Sequence, residues 1–404
     1  MRADSPTGAA LVALALVLGA CERDASTPDH PERVDGRRLV EAPTAEADFL
    51  EALGYVEGSV DPQAEKRGVL LHDADRAWSG VNLYYSRTQQ QAQLIDMQGA
   101  VLHTWAADTA APWQHVHLDP QTGDILVLMK DVGLVAFDRG GVERWRWEGR
   151  AHHDLWVDDD GVIHLLARDA RVMPDRHATI ELLDDKVVRL SPTGEVLGEW
   201  SVLQALAASP YAFLLPDLSD IKRKKKRKNA DLDILHTNHV EVFDGSLAHV
   251  HPRYAAGNVL LSMRNIHTVM ILNGETHAIE WIWGPSNLTF QHHPTVLDDG
   301  HVLIFNNGTA ASEVVELDPD AGRVVWRYQD GVDFFSRTRG SAYRLPNGNT
   351  LITESDTGYV IEVTPDGDPV WEFANPDVQA DGTRGAIWRM TRYSADDLAF
   401  LAAP

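Results

Sequence analysis

The sequence predicts an all-β chain folded as a six-bladed propeller, and three observations carry that prediction. First, an apolar run, a polar turn and a second apolar run closing on tryptophan recur six times. The copies are AQLIDMQGAVLHTW (92–105), LVAFDRGGVERW (134–145), VVRLSPTGEVLGEW (187–200), VMILNGETHAIEW (269–281), VVELDPDAGRVVW (314–326) and YVIEVTPDGDPVW (359–371). Second, most copies follow a turn with glycine and another apolar run, as in DPQTGDILVL (119–128), DDDGVIHLLA (158–167), AAGNVLLSM (255–263), DDGHVLIF (298–305) and PNGNTLIT (346–353). Two such hairpins per unit make four strands. Third, the closing tryptophans at 105, 145, 200, 281, 326 and 371 are spaced 40 to 55 residues apart except for one gap of 81, which is the span of a blade.

Ahead of the repeats, Gly8 to Ala20 is an apolar stretch that ends in Leu18-Gly19-Ala20-Cys21. Residues 1–20 therefore read as a signal peptide, and Cys21, the only cysteine, as the lipidated first residue of a mature lipoprotein. Glu22 is not the aspartate of inner-membrane retention, so the expected location is the bacterial cell envelope, on the outer membrane facing the periplasm or the cell surface. The anchor would hold the protein to the membrane without spanning it, since no later stretch approaches the roughly 20 apolar residues of a spanning helix. Residues 21–67 are expected to form a tether, disordered to about 45 and then carrying one short helix in AEADFLEALGY (45–55).

The propeller is expected from 68 to 404. The long third gap holds an insertion at about 203–232, partly helical in LQALAASPYAFLLPDLSD (203–220) and then strongly basic in KRKKKRK (222–228). Seven adjacent cations repel one another and stay in solvent. The first blade lacks an innermost strand before SGVNLYYS (79–86), so AIWRMTRYS (386–394) is expected to supply it and close the ring. A formal net charge of −24 excludes a general nucleic-acid binder, because a phosphate backbone needs a basic footprint.

The candidate chemistry lies among 18 histidines. His115, His153 and His292 each stand eight residues before the glycine of a turn (Gly123, Gly161, Gly300), a common offset that puts them at the start of the innermost strand of successive blades. They are expected to ring one mouth of the central channel. In blade six the same offset falls on Gly340, flanked by Arg337 and Arg339, and in blade four the innermost strand begins near ILHTNHVEVF (234–243). His236 and His239, three apart, would fall on opposite faces of a strand and could not chelate one ion, whereas His236 and Asn238 share a face. Neither a catalytic metal nor a cofactor is expected.

LHTNHVEV (235–242), LLSMRNIHTVMIL (260–272), WGPSNLTFQHHPTVLDDGHVLIFNNG (283–308) and the sixth blade together resemble the bacterial arylsulfate sulfotransferases, and the likeness extends over most of the chain from Gly68. That resemblance implies transfer of a sulfuryl group from a phenolic sulfate ester to an acceptor phenol without a nucleotide sulfate donor. It also implies a ping-pong route through a sulfated His292, with His236, Arg264, His153 and Asn238 holding the sulfuryl and phenol oxygens or orienting His236. His115, His293 and Arg339 are further candidates for substrate contact. The doubling at His292 and His293 leaves open which is sulfated, with alternation and the offset favouring His292. Two rivals stand beside this reading: a non-catalytic envelope propeller that scaffolds other proteins, and hydrolysis of the ester with water as acceptor.

Overall fold

In the computed structural model the described residues are 58–402, apart from 87, 110, 174, 175, 177, 178, 180 and 219–231. Cys21, the expected helix at 45–55 and the basic run at 222–228 lie outside them. No helix among the described residues is long and apolar enough to cross a membrane.

Two strands precede the first blade, β1 (Gly58–Val60) and β2 (Gly68–His72). The first blade holds β3 (Val81–Ser86), β4 (Gln91–Ile95) and β5 (Val101–Ala106). The second is β6 (Trp113–Leu118), β7 (Ile125–Met129), β8 (Gly133–Phe137) and β9 (Glu143–Glu148). The third is β10 (Ala151–Val157), β11 (Ile163–Val172), β12 (Glu181–Leu190) and β13 (Val196–Ser201), followed by helix α1 (Val202–Ala207) and β14 (Leu232–Asp233). The fourth is β15 (Thr237–Val242), β16 (Val259–Met263), β17 (Thr268–Leu272) and β18 (Ile279–Trp283). The fifth is β19 (His292–Val296), β20 (Val302–Asn306), β21 (Glu313–Asp318) and β22 (Arg323–Tyr328). The sixth is β23 (Ser341–Arg344), β24 (Thr350–Glu354), β25 (Tyr359–Val363) and β26 (Pro369–Ala374). Last come β27 (Thr383–Gly385) and β28 (Ile387–Tyr393).

Each blade is an antiparallel meander, and β28 pairs with β3 as the expected closing strand. The seam carries two further stitches that the sequence did not suggest. β2 adds a fifth strand to the outer edge of blade six by pairing with β26, and β1, inside the expected tether, pairs with β27. Arg384 on β27 fastens that segment: its fully buried guanidinium donates to Asp61 Oδ2 at 2.8 Å and to the carbonyls of Gln63 (3.1 Å) and Lys66 (2.7 Å).

Six apolar clusters each bridge two neighbouring blades, so the core is six walls between wedges. The repeated tryptophan serves those walls. The indole N–H of Trp105, Trp326 and Trp371 donates to a turn carbonyl of the following blade, at Gly123 (2.9 Å), Pro365 (2.7 Å) and Met97 (3.0 Å) respectively. Trp105 and Trp371 are buried, where an indole needs such a partner, and each bond ties one blade to the next.

Blade three departs from the pattern in a way that serves the site. β11 and β12 run ten residues each, and the overhang of β12 takes β14 as a parallel partner, with Leu183 opposite Asp233. Asp233 is thereby fixed three residues ahead of His236.

Candidate active site

In a regular strand successive side chains point to opposite faces, so neighbours cannot both look into the channel. Five of the six innermost strands break that rule with a register shift, between Trp113 and His115, Ala151 and Leu155, Thr237 and His239, His292 and Thr295, and Ile387 and Met390. Bulges of this kind re-aim side chains beside functional sites. His153, His236, His293 and Arg339 also have positive φ, 60°, 53°, 47° and 59°, a left-handed backbone that such residues adopt only when their surroundings impose it. The result is two tiers of polar groups along the axis.

The upper tier gathers His153, His236, Arg264, His292, Arg339 and Trp388, all buried. The His153 and His236 rings meet edge to face at 4.6 Å, and His153 lies 6.2 Å from the Trp388 ring. The Arg264 guanidinium packs over Phe290 at 4.4 Å and that of Arg339 over Trp388 at 5.0 Å. Burial pushes the His292 imidazole well below its ordinary pKa, with Arg264 and His236 adding to the shift. Burial likewise lowers Arg264 to about 10 and brings His153 well below its usual range. Lys130 adds positive charge felt by both His153 and His236. Neutral imidazoles among guanidinium groups are donors of the kind that suit a small anion.

His292 is held in one tautomer. The Asn307 amide N–H₂ donates to the carbonyls of Ser336 and Arg339, both at 2.7 Å, which leaves Asn307 Oδ1 to accept from His292 Nδ1 at 2.7 Å. Nε2 then carries the lone pair, and the Arg339 backbone N–H reaches it at 3.2 Å. Gly340 makes this approach possible, with φ 99° and a position where a Cβ would stand 2.4 Å from the Phe305 ring. Gly340→Ala is expected to cost about 1–3 kcal/mol through strain and overpacking. Thermal unfolding against the parent protein checks it.

A family model for arylsulfotransferase (ASST) matches residues 148–376, more than half of the chain and all of the upper tier except Trp388. The chain belongs to the arylsulfotransferase family. No curated protein matches it. Among solved structures it is similar to a protein of unknown function from Bacteroides caccae, at 14% identity over 78% of this chain and 99% of that one, with a TM-score of 0.49. It is also similar to a functionally unknown protein from Desulfotomaculum acetoxidans, at 9% identity over 78% and 99% and a TM-score of 0.45. A virginiamycin B lyase from Staphylococcus aureus matches at 10% identity over 66% and 71%, with a TM-score of 0.38.

Of the residues expected at the arylsulfotransferase site, His153, His236, Arg264, His292 and Arg339 come together in the upper tier. His115 does not share their level. The bulge in β6 sets it in the lower tier, where Nδ1 meets the Tyr85 hydroxyl at 2.9 Å and Nε2 lies 3.5 Å from Asp154. Gln114 occupies the upper level in its place, accepting the His153 backbone N–H at 3.1 Å. His293 also lies lower, its ring 5.2 Å from His239 and 4.5 Å from Tyr343. Strict alternation is therefore a poor guide to the His292 and His293 pair, because both look inward at different depths. His236 precedes β15 with a left-handed backbone, so the strand-face argument that paired it with Asn238 does not hold. Asn238 donates to the Gln291 carbonyl at 2.8 Å and braces blade four against the entry to β19. Orientation of His236 falls to Asp233 instead, whose Oδ2 lies 2.6 Å from Nδ1.

The lower tier is a charged network that crosses the axis. Arg389 on β28 reaches both Asp154 oxygens at 3.2 Å, and His239 Nδ1 meets Asp154 Oδ2 at 2.7 Å. Burial alone would raise the Asp154 carboxyl, but Arg389 and His239 hold it far below the usual range. Asn307, Asp233, Asp154, Arg389 and Trp388 had no place among the candidate residues of the sequence. Only two signals hinted at them, the doubled asparagine of FNNG and the strand character of AIWRM.

Among the described residues, three potential metal ligands converge at Asp299, His301 and Glu316 in blade five. His301 Nδ1 already bonds Glu316 Oε1 at 2.7 Å, and Arg344 bonds the other Glu316 oxygen at 2.6 Å. That set is a satisfied ion-pair cluster, remote from the upper tier.

Proposed function

We propose that the protein is an arylsulfate sulfotransferase that carries the sulfuryl group on His292 Nε2 between two phenols, without a nucleotide donor. The observation that supports this most is the tautomer lock on His292, which leaves a neutral imidazole beside Arg264 and His236. Its Nε2 lone pair points at the Arg339 backbone N–H, a donor that must turn to a sulfuryl oxygen for Nε2 to attack. Attack of Nε2 on sulfur forms the N–S bond as the S–O bond to the aryl group breaks. The electron pair of that bond leaves on the phenol oxygen. Arg264 faces the spread negative charge on three sulfuryl oxygens, joined by the Arg339 N–H once sulfur displaces it from Nε2, and such donors stabilise the transition state. The Nδ1 proton stays with Asn307 Oδ1 throughout, and a second phenol reverses the steps. Trp388 and Phe290 offer flat apolar walls for the aryl rings.

We also propose that the lipobox at Cys21 anchors this activity in the cell envelope, a reading supported by sequence alone. The decisive assay uses a chromogenic aryl sulfate with and without added phenol. Phenol-dependent release, together with an adduct of about 80 Da on the peptide that holds His292, is the expected result. Release without phenol would make the protein a hydrolase, and no release from folded protein would leave a scaffold.

A further inference from the structure

We infer that Asp233 is a positioning residue that holds His236 with its Nε2 toward the phenol oxygen, making His236, once protonated there, the proton donor of the first half-reaction and the acceptor of the second. The inference rests on the sulfotransferase reading above. Asp233 grips His236 twice: Oδ1 accepts its backbone N–H at 2.8 Å and Oδ2 its Nδ1–H at 2.6 Å. With Nδ1 committed, Nε2 is the nitrogen left for a substrate, and the ring faces His153 at 4.6 Å. Asp233 is itself held on three sides. β14 pairs in parallel with β12, the Asn265 amide donates to its carbonyl at 3.0 Å, and Arg168 Nη1 lies 3.8 Å from Oδ2. Two side chains from different blades thus serve the aim of one imidazole.

The proton account closes over the full cycle. Burial lowers the His236 pKa despite Asp233, so the empty site favours the neutral ring. An aryl sulfate brings one negative charge and draws a proton onto Nε2, with Nδ1–H kept on Asp233. As the S–O bond breaks, the departing oxygen takes both electrons of that bond and the Nε2 proton, and a neutral phenol leaves. The acceptor phenol then gives its proton to Nε2 as its oxygen attacks sulfur, and the S–N electrons return to His292.

The help is needed in proportion to the basicity of the departing phenolate. Asp233→Asn, which keeps size and removes charge, is expected to lower kcat/KM about 100-fold for an ester of an unactivated phenol with a pKa near 10, and less than about tenfold for 4-nitrophenyl sulfate. His236→Gln should show the same leaving-group signature, and the double variant should be no worse than His236→Gln alone. Equal loss on both esters, or additive losses in the double variant, would make Asp233 merely structural and overturn the inference. Should Asp233→Asn fail to fold, the slope of His236→Gln across the same esters decides: a flat slope sinks the proposal. Parent enzyme inactive on every ester would instead refute the sulfotransferase reading, so the two failures are told apart.

Discussion

His292→Ala is expected to abolish phenol-dependent release from a chromogenic aryl sulfate, lowering kcat/KM by at least about four orders of magnitude. The 80 Da adduct should vanish with it. The size follows from the role: without Nε2 the sulfuryl group must pass directly between two phenols that one small pocket cannot align together, and the two-step route is lost. Donor binding should persist, because Arg264, His236 and Arg339 remain. Inhibition of product formation in the parent enzyme by a non-reactive aryl sulfonate, and binding of that sulfonate to the variant, measure this directly. His293→Ala provides the contrast. Its ring packs with His239 and Tyr343 in the lower tier, so stability should suffer while adduct formation survives. Full turnover by His292→Ala would reject the nucleophile assignment outright.

The blades were legible in the sequence because their cause is local. A glycine turn, an alternating run and a tryptophan seeking a carbonyl in the next blade recur wherever a wedge must pack against its neighbour. The closing strand at 387–393 was legible because an unpaired first blade would expose a sheet edge. The site was legible only in part. His153, His236, Arg264, His292 and Arg339 could be picked out by offset and resemblance, but their partners come from distant chain positions through irregular backbone. Asp233 arrives by way of a parallel bridge to β12, and Asn307 through two carbonyls of blade six. The bulges that stack two tiers in one channel break the alternation on which strand reading rests, which is why His115 was read one level too high and Asn238 was given a task that Asp233 performs.

Acid should destabilise this protein through its buried histidines. Burial brings His115 down to about 3 and sets His152, His153, His292 and His293 well below their ordinary values, so the folded chain keeps these rings neutral. In the unfolded chain each takes up a proton near pH 6.5. The unfolded state therefore binds more protons below that pH, and stability falls as pH drops, by about 1.4 kcal/mol per unit for each such ring. Three buried carboxyls, Asp184, Asp185 and Glu241, and the raised His239 oppose the trend. Asp185, raised to about 7 by burial and Asp233, and Glu241, raised by burial, gain protons in the folded state first. The lowered rings, which also include His117 at about 4, outnumber the raised groups, so the net effect is a loss of stability toward pH 5. Tm should thus fall by on the order of 10 °C between pH 7 and pH 5, and unfolding at pH 5 should take up protons. His115→Gln, which removes one of the buried rings, should flatten the slope. A Tm constant from pH 7 to 5 would mean that the folded chain takes up as many protons as the unfolded one, so that burial does not hold these imidazoles neutral.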